Sequence, residues 1–215
     1  MPGLAQINTK DASSGATALC HAAANGDVAM IDLLVGYGAS LDENSELGAA
    51  VQWAAMADSG AAVESLLDHG ANPNVVAPPS GDRSLPSALV VASSMNQTEI
   101  CKMLLENGAD AAARDTEGMT ALHHAAGNGN APLFRSLLLF NADPYAKDEQ
   151  GQVAATCGKG KWFKSEVDAI MREWASTEEK GEAYWDAVAN DTATQTQLEF
   201  RECPDFRRFL SNSCP

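Results

Sequence analysis

The chain is short of three things: aromatic rings, positive charge and long apolar runs. Aromatics make up 6% of its 215 residues, and 14 Lys and Arg face 29 Asp and Glu, for a net charge of −15. Nucleic-acid backbones and anionic membrane surfaces are held by basic footprints, so the deficit of cations argues against nucleic acid and lipid headgroups as partners. No stretch reaches the about 20 apolar residues that a membrane-spanning helix needs, so no direct membrane insertion is expected. The five cysteines, Cys20, Cys101, Cys157, Cys203 and Cys214, are odd in number and contain no C-x-x-C pair. That argues against a disulfide framework and for a reducing intracellular compartment, the cytoplasm first and an organelle second. The opening MPGLAQINTK carries no apolar run, so no secretory leader is expected.

Catalytic signatures are missing as well. His21, His69, His123 and His124 do not stand at zinc-ligand spacing from the cysteines. Gly158-Lys159 lacks the earlier Gly and the following Ser or Thr of a phosphate loop. There is no G-x-S-x-G, no H-E-x-x-H and no dinucleotide fingerprint. The expectation is a non-enzyme with no cofactor, no metal and no small-molecule substrate. An enzyme with a site of unrecognised kind is the minor alternative.

What the chain has is repetition. Four phrases superimpose without gaps: TALCHAA (Thr17 to Ala23), AAVQWAA (Ala49 to Ala55), SALVVAS (Ser87 to Ser93) and TALHHAA (Thr120 to Ala126). Behind each, at one fixed offset, comes a second phrase: LVGYGA (Leu34 to Ala39), LLDHGA (Leu66 to Ala71), LLENGA (Leu104 to Ala109) and LLLFNA (Leu137 to Ala142). The copies stand 32, 38 and 33 residues apart, measured between Ala23, Ala55, Ser93 and Ala126. A period of about 33 with a T-P-L-H-x-A-like start marks a stacked helical solenoid. On these phrases the chain resembles the ankyrin repeat family over roughly residues 7 to 158. It departs from the family where Ala18, Ala50, Ala88 and Ala121 replace its Pro, and where Cys20, Gln52 and Val90 replace its His, kept only as His123. In the family that His bonds backbone within the turn network, and His123 inherits this structural role by resemblance.

Each copy should form a short Ala-rich helix, a polar turn, a second helix and an extended excursion. Paired Ala residues favour helix and let neighbours approach closely. The turns are Asn25-Gly26-Asp27, Asp58-Ser59-Gly60, Asn96-Gln97-Thr98 and Asn128-Gly129-Asn130, residues that cap helices and accept tight geometry. The second helices carry inward stripes: Ile31, Leu34 and Val35; Val63, Leu66 and Leu67; Cys101, Leu104 and Leu105; Phe134, Leu137 and Leu138. Gly38, Gly70, Gly108 and Asn141 then suit a left-handed helix end.

The predicted organisation is all-α: an N-terminal cap over 1–15 and an ankyrin-repeat domain over 16–158, followed by a helical capping and docking extension over 159–215. The repeats run about 16–47, 48–85, 86–118 and 119–151, with a partial cap from 152. The step of 38 places an insertion at Val75 to Pro86, read as an exposed loop. Trp162, Phe163, Val167, Ile170, Met171 and Trp174 recur at helical spacing, and Ser176 to Glu179 reads as a capping box.

The resemblance implies protein–protein recognition through a concave groove. Carried onto this sequence, the hairpin-tip candidates are Asp42, Glu43, Asn44, Asn74, Val75, Arg114, Asp115, Glu117, Lys147, Asp148 and Glu149. The groove candidates are Gln52, Met56, Val90, Met95, His123 and Asn128. Aromatic and aliphatic anchors in the tail, Trp185, Phe206, Phe209 and Leu210, are candidates for docking on another protein. The expected role is a small accessory subunit of a larger multi-subunit assembly; the alternative is a free adaptor or an inhibitor of a client protein. A basic partner would complement residues 1–150, which hold 18 acids and 6 bases.

Overall fold

A computed structural model describes residues 7–43, 45, 48–76, 85–158 and 161–175. Asn44, the centre of the 75–86 insertion and everything after residue 175 lie outside the described residues. The same is true of the expected second C-terminal helix and of all four tail candidates. The described chain is ten helices joined by turns, with isolated bridges and no strand among the described residues. Four inner and four outer helices alternate: α1 (Ala18–Asn25), α2 (Val28–Gly36), α3 (Ala50–Met56), α4 (Gly60–Asp68), α5 (Ala88–Ser94), α6 (Thr98–Glu106), α7 (Ala121–Gly127) and α8 (Ala131–Leu139). A four-residue α9 (Ala154–Cys157) fills the place of a fifth inner helix and stops before Gly158. A longer α10 (Lys161–Ala175) follows.

The turns explain why helices of seven to nine residues persist where isolated ones would not. Each inner helix ends on one left-handed residue: Gly26, Asp58, Asn96 or Gly129, with φ of 69°, 56°, 62° and 69°. The next N–H then reaches back to Ala22, Ala54, Ala92 or Ala125 at 2.9–3.0 Å. The outer helices repeat this closure through Gly38, Gly70, Gly108 and Asn141, after which Ala39, Ala71, Ala109 and Ala142 donate to Leu34, Leu66, Leu104 and Leu137. This is the Schellman arrangement, which satisfies orphan carbonyls within the turn. Asp27 and Asn130 cap α2 and α8 by accepting the N–H of Met30 and Leu133.

The core is a continuous slab. Inner helices stack α1 on α3, α3 on α5, α5 on α7 and α7 on α9, while outer helices stack α2 on α4, α4 on α6 and α6 on α8. Ala23, Ala55, Ser93 and Ala126 are all fully enclosed, as are Val63, Leu66, Cys101, Leu104, Phe134 and Leu137. Each large buried aliphatic contributes about 1.5–3 kcal/mol. The stripe of the first repeat differs from the expectation: Ile31 is enclosed, but Leu34 and Val35 are only half-buried. Among the described residues the first repeat has a neighbouring helix pair on one side only, so positions that later repeats cover on both sides are partly open here.

The chain divides into two compact units, residues 1–164 and 165–215; the stacked repeats belong to the first and most of α10 to the second. On α10, Val167, Ile170 and Met171 are buried and Trp174 is half-buried, the spacing of one helix face. No described helix is long and apolar enough to cross a membrane.

Two substitutions test this account in urea titrations. Leu104→Ala should cost about 2–5 kcal/mol, because it empties a site held rigid from both sides. Gly108→Ala should cost about 1–2 kcal/mol although no heavy atom lies within 4 Å of the added methyl, because φ is +82°.

Candidate protein-binding surface

Many of the polar residues at the hairpins are occupied in holding the array together. Each excursion has a left-handed residue followed two positions later by Ser40, Asn72, Asp110 or Asp143. The backbone N–H groups of Ser40, Asn72 and Asp110 donate to a side-chain oxygen of the preceding unit: Asn8 at 2.8 Å, Asp42 at 2.9 Å and Asn74 at 2.7 Å. Asn74 also donates to the carbonyl of Gly108. Asp42 and Asn74, expected as tip contacts, are therefore rungs of an inter-repeat ladder. At the next acceptor position stands Ala112, which has no side-chain oxygen.

A second family of carboxylates shapes the hairpins. Asp115 accepts the N–H groups of Glu117 and Met119, and Asp148 those of Gln150 and Gln152, all at 2.8–2.9 Å. Asp11 does the same for Ser13 and Ser14. The Ser14 hydroxyl and N–H, then the His21 and Ser13 side chains, hold the Asp11 carboxyl far below the ordinary carboxylate range. Arg114 donates to the carbonyls of Gly118 and Lys147, and Glu149 donates its N–H to Glu117, tying two hairpins together. The backbones approach so closely that a Cβ on Gly118 would meet the Glu149 nitrogen at 3.0 Å.

One position of the inner helices reaches across to these hairpins. His21 bonds Asp11 at 2.8 Å, Trp53 donates its indole N–H to Ser45 at 3.0 Å, and His124 bonds Asp115 at 2.8 Å. The rings of His21 and Trp53 lie 5.9 Å apart and tilted. None of these three rings was among the candidate contacts read from the sequence. The signal was available as an Asp or Ser standing eight to ten residues before each ring. Between outer helices, Asp32 receives Ser65 and His69, and the His69 bond, followed by that of Ser65, lowers the Asp32 carboxyl.

Three expected groove residues are internal instead. Gln52, Val90 and His123 are 0%, 1% and 1% exposed, because the third residue of an inner helix points into the turn before it and toward the next repeat. Val90 packs in the core. His123 accepts the Thr120 N–H on Nδ1 at 3.2 Å and meets the Gln152 carbonyl through Nε2 at 3.1 Å. Gln52 performs the same bridge with different atoms: its Oε1 accepts from Ala49 at 2.8 Å and its Nε2 donates to Pro86 at 2.7 Å. Asn128 is exposed, but its amide spans to the carbonyls of Ser93 and Ser94.

Exposed large apolar side chains are few on the inner-helix side of the array. Met56 and Met95 are 38% and 50% exposed, at the ends of neighbouring helices, with Trp53 half-buried beside Met56. Around the array the hairpins present Glu117 and Glu149 to solvent with Lys147, while half-buried Glu43 pairs with Lys10 at 2.8 Å. Val75 is half-buried. No group of described residues is placed to hold a metal ion.

Burial lowers the His123 imidazole below its ordinary value, partly offset by the Gln152 carbonyl. The unfolded chain then binds the proton more readily, so stability is full above the ordinary imidazole value and falls as pH drops through it. Between about pH 7.5 and about pH 5, thermal melts of His123→Gln should show a flatter pH profile than the parent. His123→Ala should cost about 1–3 kcal/mol at neutral pH, because it leaves the buried Thr120 N–H without its acceptor.

A family model for ankyrin repeats (3 copies) matches residues 3–77 and 80–148. Among curated proteins, an ankyrin repeat and LEM domain-containing protein 1 homolog of Caenorhabditis elegans is 36% identical over 91 residues, 40% of this chain and 13% of that protein. The human SH3 and multiple ankyrin repeat domains protein 2 is 36% identical over 89 residues, 41% of this chain and 5% of that protein. The chain thus matches a small part of the length of these relatives. Ankyrin repeats generally mediate protein–protein interaction and are typically non-catalytic. With the stacked helix pairs, the paired left-handed closures and a family match over more than half of its length, the chain belongs to the ankyrin-repeat family.

Proposed function

We propose that the chain is a non-catalytic recognition module that seats a protein segment against its inner helices, and that it serves as a small accessory subunit of a larger assembly. The observation that carries the binding reading is the pair of exposed methionines, Met56 at the end of α3 and Met95 directly after α5. Met repacks easily around an incoming side chain. The rigid frame beneath lets binding proceed with little ordering cost. The excess of acid over base in residues 1–150 favours a partner segment with positive flanks. Asp42, Asn74, Asp115, Asp148 and Arg114 then act chiefly by holding the hairpins in place, leaving Glu43, Glu117, Lys147 and Glu149 as direct tip contacts. In the subunit reading, Trp185, Phe206, Phe209 and Leu210 supply the permanent anchor.

The native protein, purified from its source at moderate salt, should elute in a particle larger than its own mass with fixed stoichiometry. Elution as a free monomer would overturn the subunit role and leave a reversible adaptor or inhibitor. In either case Met56→Glu with Met95→Glu should weaken partner binding on the order of tenfold or more, since central apolar anchors dominate interfaces, while leaving the melting temperature unchanged.

A further inference from the structure

The outer helix of the first repeat carries an apolar stripe that the rest of the array teaches one to read. In the second repeat, Ser65 and His69 reach back to Asp32 on the preceding outer helix. In the third, Met103 lies so near the preceding helix that a Cβ on Gly60 would meet its methyl at 3.4 Å. The side of an outer helix that holds Ser65, His69 and Met103 therefore faces the repeat before it. The equivalent residues on α2 are Leu33 and Tyr37, 52% and 62% exposed, with Met30 beside them at 42%. Met30 corresponds to Ala62, Ile100 and Leu133, which are 0–3% exposed in the covered repeats. In the repeats that follow, this side is covered by the outer helix before it. The first repeat shows Met, Leu and Tyr there, with half-buried Leu34 behind them.

We propose that this face of α2 is a docking site for an amphipathic helix of another protein, with aliphatic residues on one side and basic residues on the other. The occupant is a helix because the same stacking interface receives one three times within this chain, as α2 meets α4, α4 meets α6 and α6 meets α8. Its contact side is apolar because Leu33 and Tyr37 stand where Ser65 and His69 would bind a carboxylate. Its outer side is basic because the stripe lies on a strongly acidic array, with Asp27 exposed at the start of the same helix and 18 acids against 6 bases over residues 1–150. Two copies of a chain of charge −15 would repel one another at this face. This site is separate from the Met56 and Met95 surface.

The test uses a labelled helical peptide of about 18 residues, built of leucine and lysine with the leucines on one face, and a peptide of the same composition in scrambled order. Fluorescence anisotropy at about 0.15 M salt screens diffuse charge attraction. The amphipathic peptide should bind more tightly than the scrambled one. It should lose at least about tenfold on Leu33→Glu with Tyr37→Glu, and keep its affinity on Met56→Glu with Met95→Glu. Leu33→Ser with Tyr37→His, which gives α2 the side chains that α4 carries at these positions, should also weaken binding and guards against a folding defect in the charged variant. Equal binding of the scrambled peptide would overturn the proposal. So would loss on the methionine variant alone, which would place the peptide on the inner helices. A concentration-dependent dimer in sedimentation, dissolved by Leu33→Ser with Tyr37→His, would overturn it in favour of a second copy.

Discussion

No repeat of this chain can bury its own apolar stripe, and everything else in the structure follows from that. A helix pair of seven to nine residues per helix has one covered face and two open ones. Stacking closes the open faces in turn, and Ala23, Ala55, Ser93 and Ala126 are small enough for the inner helices to lie close. Stability is then a sum over nearest neighbours. The cost appears at the edges, where Leu34 and Val35 stay half-covered and Met30, Leu33 and Tyr37 face solvent.

Stacking also explains where the polar residues go. Extended excursions leave backbone N–H groups without helical partners, and these must be satisfied. Asn8, Asp42 and Asn74 satisfy one set across repeats, while Asp11, Asp115 and Asp148 satisfy another within hairpins. Part of the chain's acidity is thus structural. A surface that looks rich in recognition groups is largely committed to its own scaffold, and partner binding falls to a few exposed side chains.

The equivalence of Gln52 and His123 shows how a diverged repeat keeps its geometry. Both occupy the third residue of an inner helix, and both link the N–H at the start of that helix to a carbonyl about thirty residues on. An amide does this without titrating, and an imidazole does it only while neutral. Cys20 and Val90 at the same position do without the bridge, the first accepting only the Thr17 hydroxyl within its own turn. The bridge adds strength where it occurs, while the closures at the helix ends are common to all four repeats.

Repeat register, helix positions and the left-handed residues at Gly38, Gly70, Gly108 and Asn141 were legible in the sequence, because they follow from local propensity and from spacing that recurs four times. The inward stripes were legible in the middle of the array and overstated at its start, since periodicity says which face is apolar but not whether a neighbour covers it. The site was much less legible. Gln52 and Val90 were placed in a groove because a polar or variable residue on a short helix looks available, and only the stacked structure shows that they point inward; His123 was given there too, although the resemblance already implied its structural role. Asp42 and Asn74 look like free tips until the backbone of the next repeat arrives at 2.9 and 2.7 Å. The sequence by itself determined the units and their closures, which are contacts within about six residues. Only the tertiary structure decided which side chains are left over for a partner, because that depends on distances between residues thirty or more apart.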